Sequence, residues 1–271
     1  MKRILLFIFT IGVFSINAQD LTSKKGENYL PESGDWAIGF DATSFLNYAG
    51  NLFNAGAVAP QAAEPIIPLT VYGKLFTDDN QAFRATLGIN MGSNTESNGS
   101  EPGLDAGGFL TGSDVNNEIK TSTSFYAFGF GKEFWRGNTR LQGVYGAEAM
   151  LLLSSSKTTY TYGNSIASIG ESIGDDASRV TEMKDPSSFG VILRAFIGAE
   201  YFIAPKISIT AEYGWGFGFT STSGSTTTTE SYDWDDMTTS SDSNQGEGSS
   251  SFNISNELGI ANGMLGLMLH F

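Results

Sequence analysis

The residues able to do chemistry in this chain are few, and their types narrow the chemistry at once. Nine charged side chains recur inside runs that alternate apolar with small or polar residues: Asp41, Lys74, Arg84, Glu133, Arg140, Glu148, Arg194, Glu200 and Glu212. Mixed carboxylates and cations on one face can pair with one another, or line a path for ions or protons. A serine–histidine mechanism needs a base within reach of the nucleophile. The one histidine is His270, next to Phe271, which puts it at the far rim from any loop-side chemistry. A carboxylate pair such as Glu200 and Glu212 is better explained by charge pairing, so no enzymatic activity is expected. With no cysteine, thiol nucleophiles, disulfides and thiolate metal sites are excluded. Asp233, Asp235 and Asp236 beside Trp234 offer the hard oxygen ligands that calcium takes, but lack EF-hand spacing and its turn glycine. Gly-x-Gly at 129–131 and 214–218 lies within alternating runs, with no following helix to cradle phosphate. No cofactor and no specific metal site is expected.

The pattern around these residues sets their positions. Every second residue from Phe189 to Ile203 is apolar: Phe189, Val191, Leu193, Ala195, Ile197, Ala199, Tyr201 and Ile203. After Ala204, Pro205 and Lys206 the alternation resumes from Ile207 through Tyr213, Trp215 and Phe217 to Phe219. Between them stand Gly190, Arg194, Gly198, Glu200, Ser208, Thr210, Glu212, Gly214, Gly216 and Gly218. Side chains alternate across a strand, so this is a two-stranded hairpin with one apolar face and one small or polar face. Each run is long enough for the ~10 residues that a tilted strand needs to cross a bilayer.

The same alternation marks strands beginning near Asp35, Leu69, Phe83, Lys120 and Arg140, and a last strand over Leu265, Leu267, Leu269 and Phe271. The upstream half of that last strand (Phe252, Ile254, Leu258, Ile260) is apolar on the opposite parity. Either a bulge near Gly259–Gly263 shifts the register, or that half stands clear of the membrane. The connections alternate long and short. Long ones span Phe45–Pro68, Gly92–Glu118, Ser154–Ser188 and Thr220–Ser251, and the last three hold much of the acid. Short turns on one rim and long loops on the other are how outer-membrane barrels are built.

Which face meets lipid follows from the glycines. A soluble barrel would carry charged and amide side chains on its outer face. Here the polar-side positions are dominated by Gly39, Gly88, Gly129, Gly131, Gly146, Gly198, Gly214, Gly216 and Gly218. Glycine on an exposed strand face packs nothing, whereas in a narrow eight-stranded bore it leaves room for a few long side chains. The apolar face therefore turns outward. Aromatics agree, with Trp36, Trp135, Tyr201 and Phe271 near the short-turn ends and Tyr126, Phe189, Trp215 and Phe217 near the loop ends. The nine charges become a lumen network, and paired charges plugging the bore are favoured over a gated ion path because an unpaired buried charge is costly.

The exported start, the Gly-Ala-Glu-Tyr run at 198–201 before the Ala-Pro-Lys turn, and the alternating strand ending on Phe271 give the chain a resemblance to OmpA/OmpX-like eight-stranded outer-membrane barrels of the Bacteroidetes type. The resemblance implies that Leu265, Leu267, Leu269 and Phe271 act as the signal read by the barrel-assembly machinery. It also implies lipid and lipopolysaccharide as surroundings, with other outer-membrane proteins as candidate partners. Lys2 and Arg3 before an apolar stretch make residues 1–18 a signal segment; 19–34 reads as a mobile leader and 35–271 as one barrel domain. A net charge of −14 argues against nucleic acid. The expected fold is all-β: an eight-stranded antiparallel up-and-down transmembrane barrel in the outer membrane of a Gram-negative cell. Short turns and both termini would be periplasmic, with long loops outside. The expected role is structural, adhesive or surface-interacting. The alternatives are passage of small solutes or ions, or service as an accessory subunit of a larger outer-membrane complex.

Overall fold

The computed structural model describes residues 21–41, 69–255 and 263–271; the export segment 1–18 and the loop 45–68 lie outside the described residues. Twelve strands and one helix form among them: β1 (Trp36–Asp41), β2 (Leu69–Asp78), β3 (Gln81–Leu104), β4 (Leu110–Arg136), β5 (Leu141–Thr161), α1 (Ile166–Ile173), β6 (Ala177–Lys184), β7 (Ser188–Ala204), β8 (Ile207–Thr222), β9 (Thr226–Asp233), β10 (Thr238–Gln245), β11 (Ser249–Ser255) and β12 (Gly263–His270). Every pairing is antiparallel. β1 pairs with β2, β2 with β3, β3 with β4, β4 with β5, β5 with β7, β7 with β8 and β8 with β12. β12 then returns to β1, joining Ala37 to His270 and Asp41 to Gly266. The pairings of these eight strands therefore run in a ring.

The other four strands are additions to that ring, and they correct the expectation of eight strands with irregular loops. β6 attaches to the far end of β5, β9 to β6, and β10 to β9, while β11 extends beside the upper part of β8. β3 and β4 continue well past the expected loop start at Gly92, pairing as far as Leu104 and Leu110. These extensions are rich in Ser and Thr. β-branched Thr suits a strand, but outside the ring no continuous packed interior requires an apolar period, so the alternation that marks the other strands disappears. α1 lies in the expected loop 154–188. Ser165 caps it by accepting the Ser168 N–H at 3.0 Å, and Gly174 ends it in the left-handed region at φ 66°. Its Ile166 packs with Ala177 of β6 and Tyr232 of β9.

The faces sort as the alternation requires. Phe40, Phe83, Leu87, Phe128, Phe130, Leu193, Tyr213, Trp215, Phe217 and Leu267 are exposed on the outside of the ring. Leu265 and Leu269 lie on that same side, half-buried, while Gly266, Met268 and His270 are buried inside. Trp36 and Phe271 stack at 4.4 Å where β1 meets β12. Trp135, expected in the outer aromatic band, instead faces inward at 3% exposure and packs edge-on against Phe76. Beyond Tyr126, Leu153 and Phe189 the outward positions change to Ser124, Ser155 and Ser187, so the apolar band ends sharply.

The opposite parity of Phe252 and Ile254 has a register explanation; Leu258 and Ile260 lie outside the described residues. Ser255 sits opposite Gly216 of β8, and Gly263 opposite Tyr213. Eight residue steps on one side answer three on the other, and that odd surplus reverses which residues point outward. Phe252 and Ile254 are accordingly exposed, as is Leu267 of β12 on the other parity.

At the short-turn end the described part of the leader, residues 21–34, is folded. Thr22 bridges to Asn28, Tyr29 and Leu30 pack against the inner core, and Pro31 is buried. The turn between β7 and β8 is tied in through Lys206, whose ammonium binds the Asp35 carboxylate and whose carbonyl accepts the His270 N–H at 2.8 Å. Burial alone would raise the Asp35 pKa, but the Lys206 hydrogen bond and charge, with the Glu32 N–H, hold it below the ordinary value. A carboxyl with a depressed folded pKa contributes stability that is complete above its unfolded pKa and fades as pH falls through the folded one. Asp35→Asn is therefore expected to shift the unfolding midpoint at neutral pH and to converge with wild type in acid below pH 3.8. Urea titrations in micelles at both pH values check this, and a difference that grows in acid would contradict it.

Candidate functional site

Seven of the nine expected lumen charges meet in one network inside the ring, and cross-strand register places most of them in a single row. Lys74 of β2 lies opposite Arg84 of β3, Arg84 opposite Gly131 of β4, Gly131 opposite Glu148 of β5, Glu148 opposite Arg194 of β7, and Arg194 opposite Gly216 of β8. The next row runs Ala82, Glu133, Gly146, Phe196 and Gly214. Long side chains and glycines thus face each other across neighbouring strands. A Cβ on Gly131 would lie 2.6 Å from the Glu148 Cβ, and one on Gly146 would lie 2.7 Å from the Phe196 ring. The missing side chains are the space that the charged ones occupy.

The ion pairs are dense. Lys74 Nζ lies 2.8 Å from Glu133 Oε1 and 2.9 Å from Glu200 Oε2. Arg84 Nε is 3.1 Å from Glu148 Oε2, and its Nη1 donates to Glu212 at 2.9 and 3.0 Å and to Glu133 at 3.4 Å. Arg194 binds Glu148 and approaches Glu212 at 3.9 Å. None of the seven residues is more than 7% exposed. Three cations face four carboxylates. Trp135 Nε1 donates to Glu133 at 2.7 Å, and the Phe196 ring lies 4.2 Å beneath the Arg84 guanidinium. Such contacts fix the geometry of charges that have lost their water.

Of the other two expected members, only Arg140 has a described side chain. The Asp41 backbone pairs with Gly266 in β1, but its side chain lies outside what the structure describes. Arg140 does not join Glu133 across the turn between β4 and β5, as the spacing of the two suggests. It instead sits at the short-turn mouth with its guanidinium 3.7 Å from the Tyr29 ring, because the folded leader supplies an aromatic face there.

Residues that the alternation alone did not mark complete the site. Below the charges Tyr72, Phe76, Trp135, Val144, Phe196, Phe202 and Met268 form an inner core. His270 is buried among them, its ring 5.1 Å from Phe202 and 5.7 Å from Phe76. Its Nε2 faces both Ser208 Oγ at 3.0 Å and Glu200 Oε1 at 3.1 Å, and Ser208 donates to the same carboxylate. Serine, histidine and glutamate therefore meet, but not as a hydrolytic triad. A triad puts the serine on one ring nitrogen and the carboxylate on the other. Here both sit at Nε2, and Nδ1 has no hydrogen-bond partner among the described residues. The parity of His270 was the available signal, since it shares the inward side with Met268.

The acidic run at 233–236 is a turn. Asp233 Oδ1 accepts the Asp235 and Asp236 N–H groups at 3.0 Å each, and the Trp234 N–H donates to Asp176 at 2.9 Å. Among the described residues no cluster of His, Asp or Glu is arranged to hold a metal ion.

No family model matches the chain, and no curated protein does. Among solved structures it is similar to the crystal structure of a major outer membrane protein from Thermus thermophilus, at 11% identity and a TM-score of 0.30. That likeness covers 88% of this chain and 97% of the other, and at such a score it fixes neither fold nor function.

Removing one partner from a buried network strands the others. Arg84→Met leaves Glu133, Glu148 and Glu212 short of a cation and is expected to cost about 3–5 kcal/mol. Arg140→Ala removes one stacked contact at the rim and should cost about 1 kcal/mol. Unfolding midpoints in micelles measure both, and equal costs would refute the ranking. For the glycines, Gly131→Val should destabilise by about 1–3 kcal/mol through overpacking. Gly73→Ala, whose added Cβ meets nothing within 4 Å, is the matched control and should be near neutral.

Proposed function

We propose that the ring of eight strands is a transmembrane β-barrel of an outer membrane, plugged by its charge network, whose work is done by the sheet that projects from one rim. The observation that carries this reading is the inside-out sorting. Phe217 at 48% and Phe130 at 63% exposure belong to an apolar outer wall, while the ionised groups are buried within. In water that arrangement would leave a large apolar surface unsatisfied; in lipid it is the stable one.

Register supports the same reading. From Gly39 one path of pairs leads through Tyr72, Thr86, Gly129, Met150 and Ile192 to Gly218. The other path leads through Met268 to Ser208. The two arrivals on β8 are ten residues apart. A stagger of that size over eight strands corresponds to a tilt of about 40°, within the range of small barrels. The interior of such a barrel is filled by side chains, and here the filling is charged and buried. Solute passage is therefore the weaker reading.

The projection supports a structural or adhesive role. β3 and β4 are 24 and 27 residues long, against the ~10 that a tilted strand needs to span the bilayer. Phe109, Leu110 and Met237 stand exposed at its hairpin tips. With the projection facing outward, the short-turn end that carries Phe271 faces the periplasm.

Two measurements test the proposal. Purified protein in detergent should run as a compact species on unheated denaturing gels and as a slower one after boiling. Planar bilayers containing it should show no large steady conductance. Solubility of the folded protein without detergent would overturn the barrel, and steady conductance would overturn the plug.

A further inference from the structure

The projecting sheet carries a concave site that the charge network does not involve. It is a cavity of about 650 Å³ on the α1 side of the sheet, walled by β5, β6, β9 and the start of β10. That volume lies within the ~300–1,000 Å³ usual for small-ligand sites. Tyr160 and Tyr162 line one wall, their rings stacked nearly parallel at 13° with centroids 6.4 Å apart. The Arg179 guanidinium lies 4.0 Å over the Tyr162 ring. Its Nε donates to Glu230 Oε1 at 2.6 Å and its Nη2 to the Asn164 carbonyl at 2.8 Å, which leaves Nη1 without a hydrogen-bond partner among the described residues. Asn164 is itself locked, accepting the Leu104 N–H at 2.8 Å and donating to Glu101 at 3.2 Å. Tyr162 donates to the Val180 carbonyl at 2.7 Å. The polar groups are thus held in place before any ligand arrives. Thr239 forms the open rim.

The geometry points to this cavity as a binding site for an uncharged sugar ring, such as the terminal residue of a glycan. Arg179 and Glu230 neutralise each other, so the site offers no net charge to an ion, and the acidic loops around it repel anions. What it offers is the aromatic ring of Tyr160, against which the C–H face of a sugar packs, while Arg179 already covers its parallel neighbour Tyr162. Beside that ring the Glu230 carboxylate binds Arg179 through Oε1, which leaves its other oxygen to accept from a sugar hydroxyl. A purely apolar ligand would strand those polar groups. The site belongs to the projecting sheet and the start of α1. Only its placement outside the cell rests on the barrel reading, and binding in micelles tests it separately.

The experiment is calorimetry or saturation-transfer NMR on the full-length protein in detergent. The probes are neutral saccharides (maltose, cellobiose, lactose, mannobiose and chitobiose), with glucuronate and sodium acetate as anionic controls. At least one neutral saccharide should bind with a millimolar or tighter Kd, and the anions should not. Tyr160→Ala should weaken that binding roughly tenfold. Thr239→Trp, which fills the mouth and removes no partner, should abolish it. The heat-dependent gel shift reports that each variant is folded. Absence of binding by every neutral saccharide, or unchanged affinity in both folded variants, would overturn the proposal.

Discussion

The cost of holding ionised groups away from water governs this molecule. Lys74, Arg84 and Arg194 have no exit to solvent, and neither do the four glutamates they face. Each is tolerable only while the others are within reach. The partners come from β2, β3, β4, β5, β7 and β8, so the demand for pairing is a demand on the register of six strands at once. A slip of one residue in any of them would turn a charge to the outer wall and leave its partners unmatched. The network thus specifies the arrangement of the ring more than it adds net stability, since buried ion pairs return little beyond their own desolvation.

Glycine is the other half of that constraint. The row containing Arg84, Glu148 and Arg194 is interrupted by Gly131 and Gly216, and the row containing Glu133 and Phe196 by Gly146 and Gly214. Large and absent side chains alternate around the bore, which is how a narrow interior accommodates guanidinium groups lying along its wall. The aromatic floor of Phe76, Trp135, Phe202 and His270 closes one end, and the folded leader with Tyr29 and Leu30 closes over it.

Much of this was legible in the sequence, for a physical reason: where one face of a strand turns into a packed interior and the other away from it, the two-residue period is enforced at every position. The hairpin of β7 and β8 and the outward side of β12 could both be read from spacing. Trp135 and Arg140 could not. Both lie beside a turn, where a tryptophan suits an inner core or an outer band equally well and an arginine finds whichever aromatic or acid the fold brings near. The projection was illegible in a different way. Thr226–Asp233 and Thr238–Gln245 are strands held by their neighbours, with no apolar side to announce them. The sugar-sized cavity needs β5, β6 and β9 brought together, and only the pairings reveal that.

The join between β1 and β12 has a kinetic meaning. Ala37 and His270 are paired neighbours separated by almost the whole length of the polypeptide. Contacts so remote in sequence form late, because the entropy of bringing distant segments together must be overcome first. Until that seam shuts, two rows of unsatisfied amides and carbonyls stay open to any passing strand. Assembly must therefore run from hairpins inward to a single closing step, riveted by the stacked rings of Trp36 and Phe271.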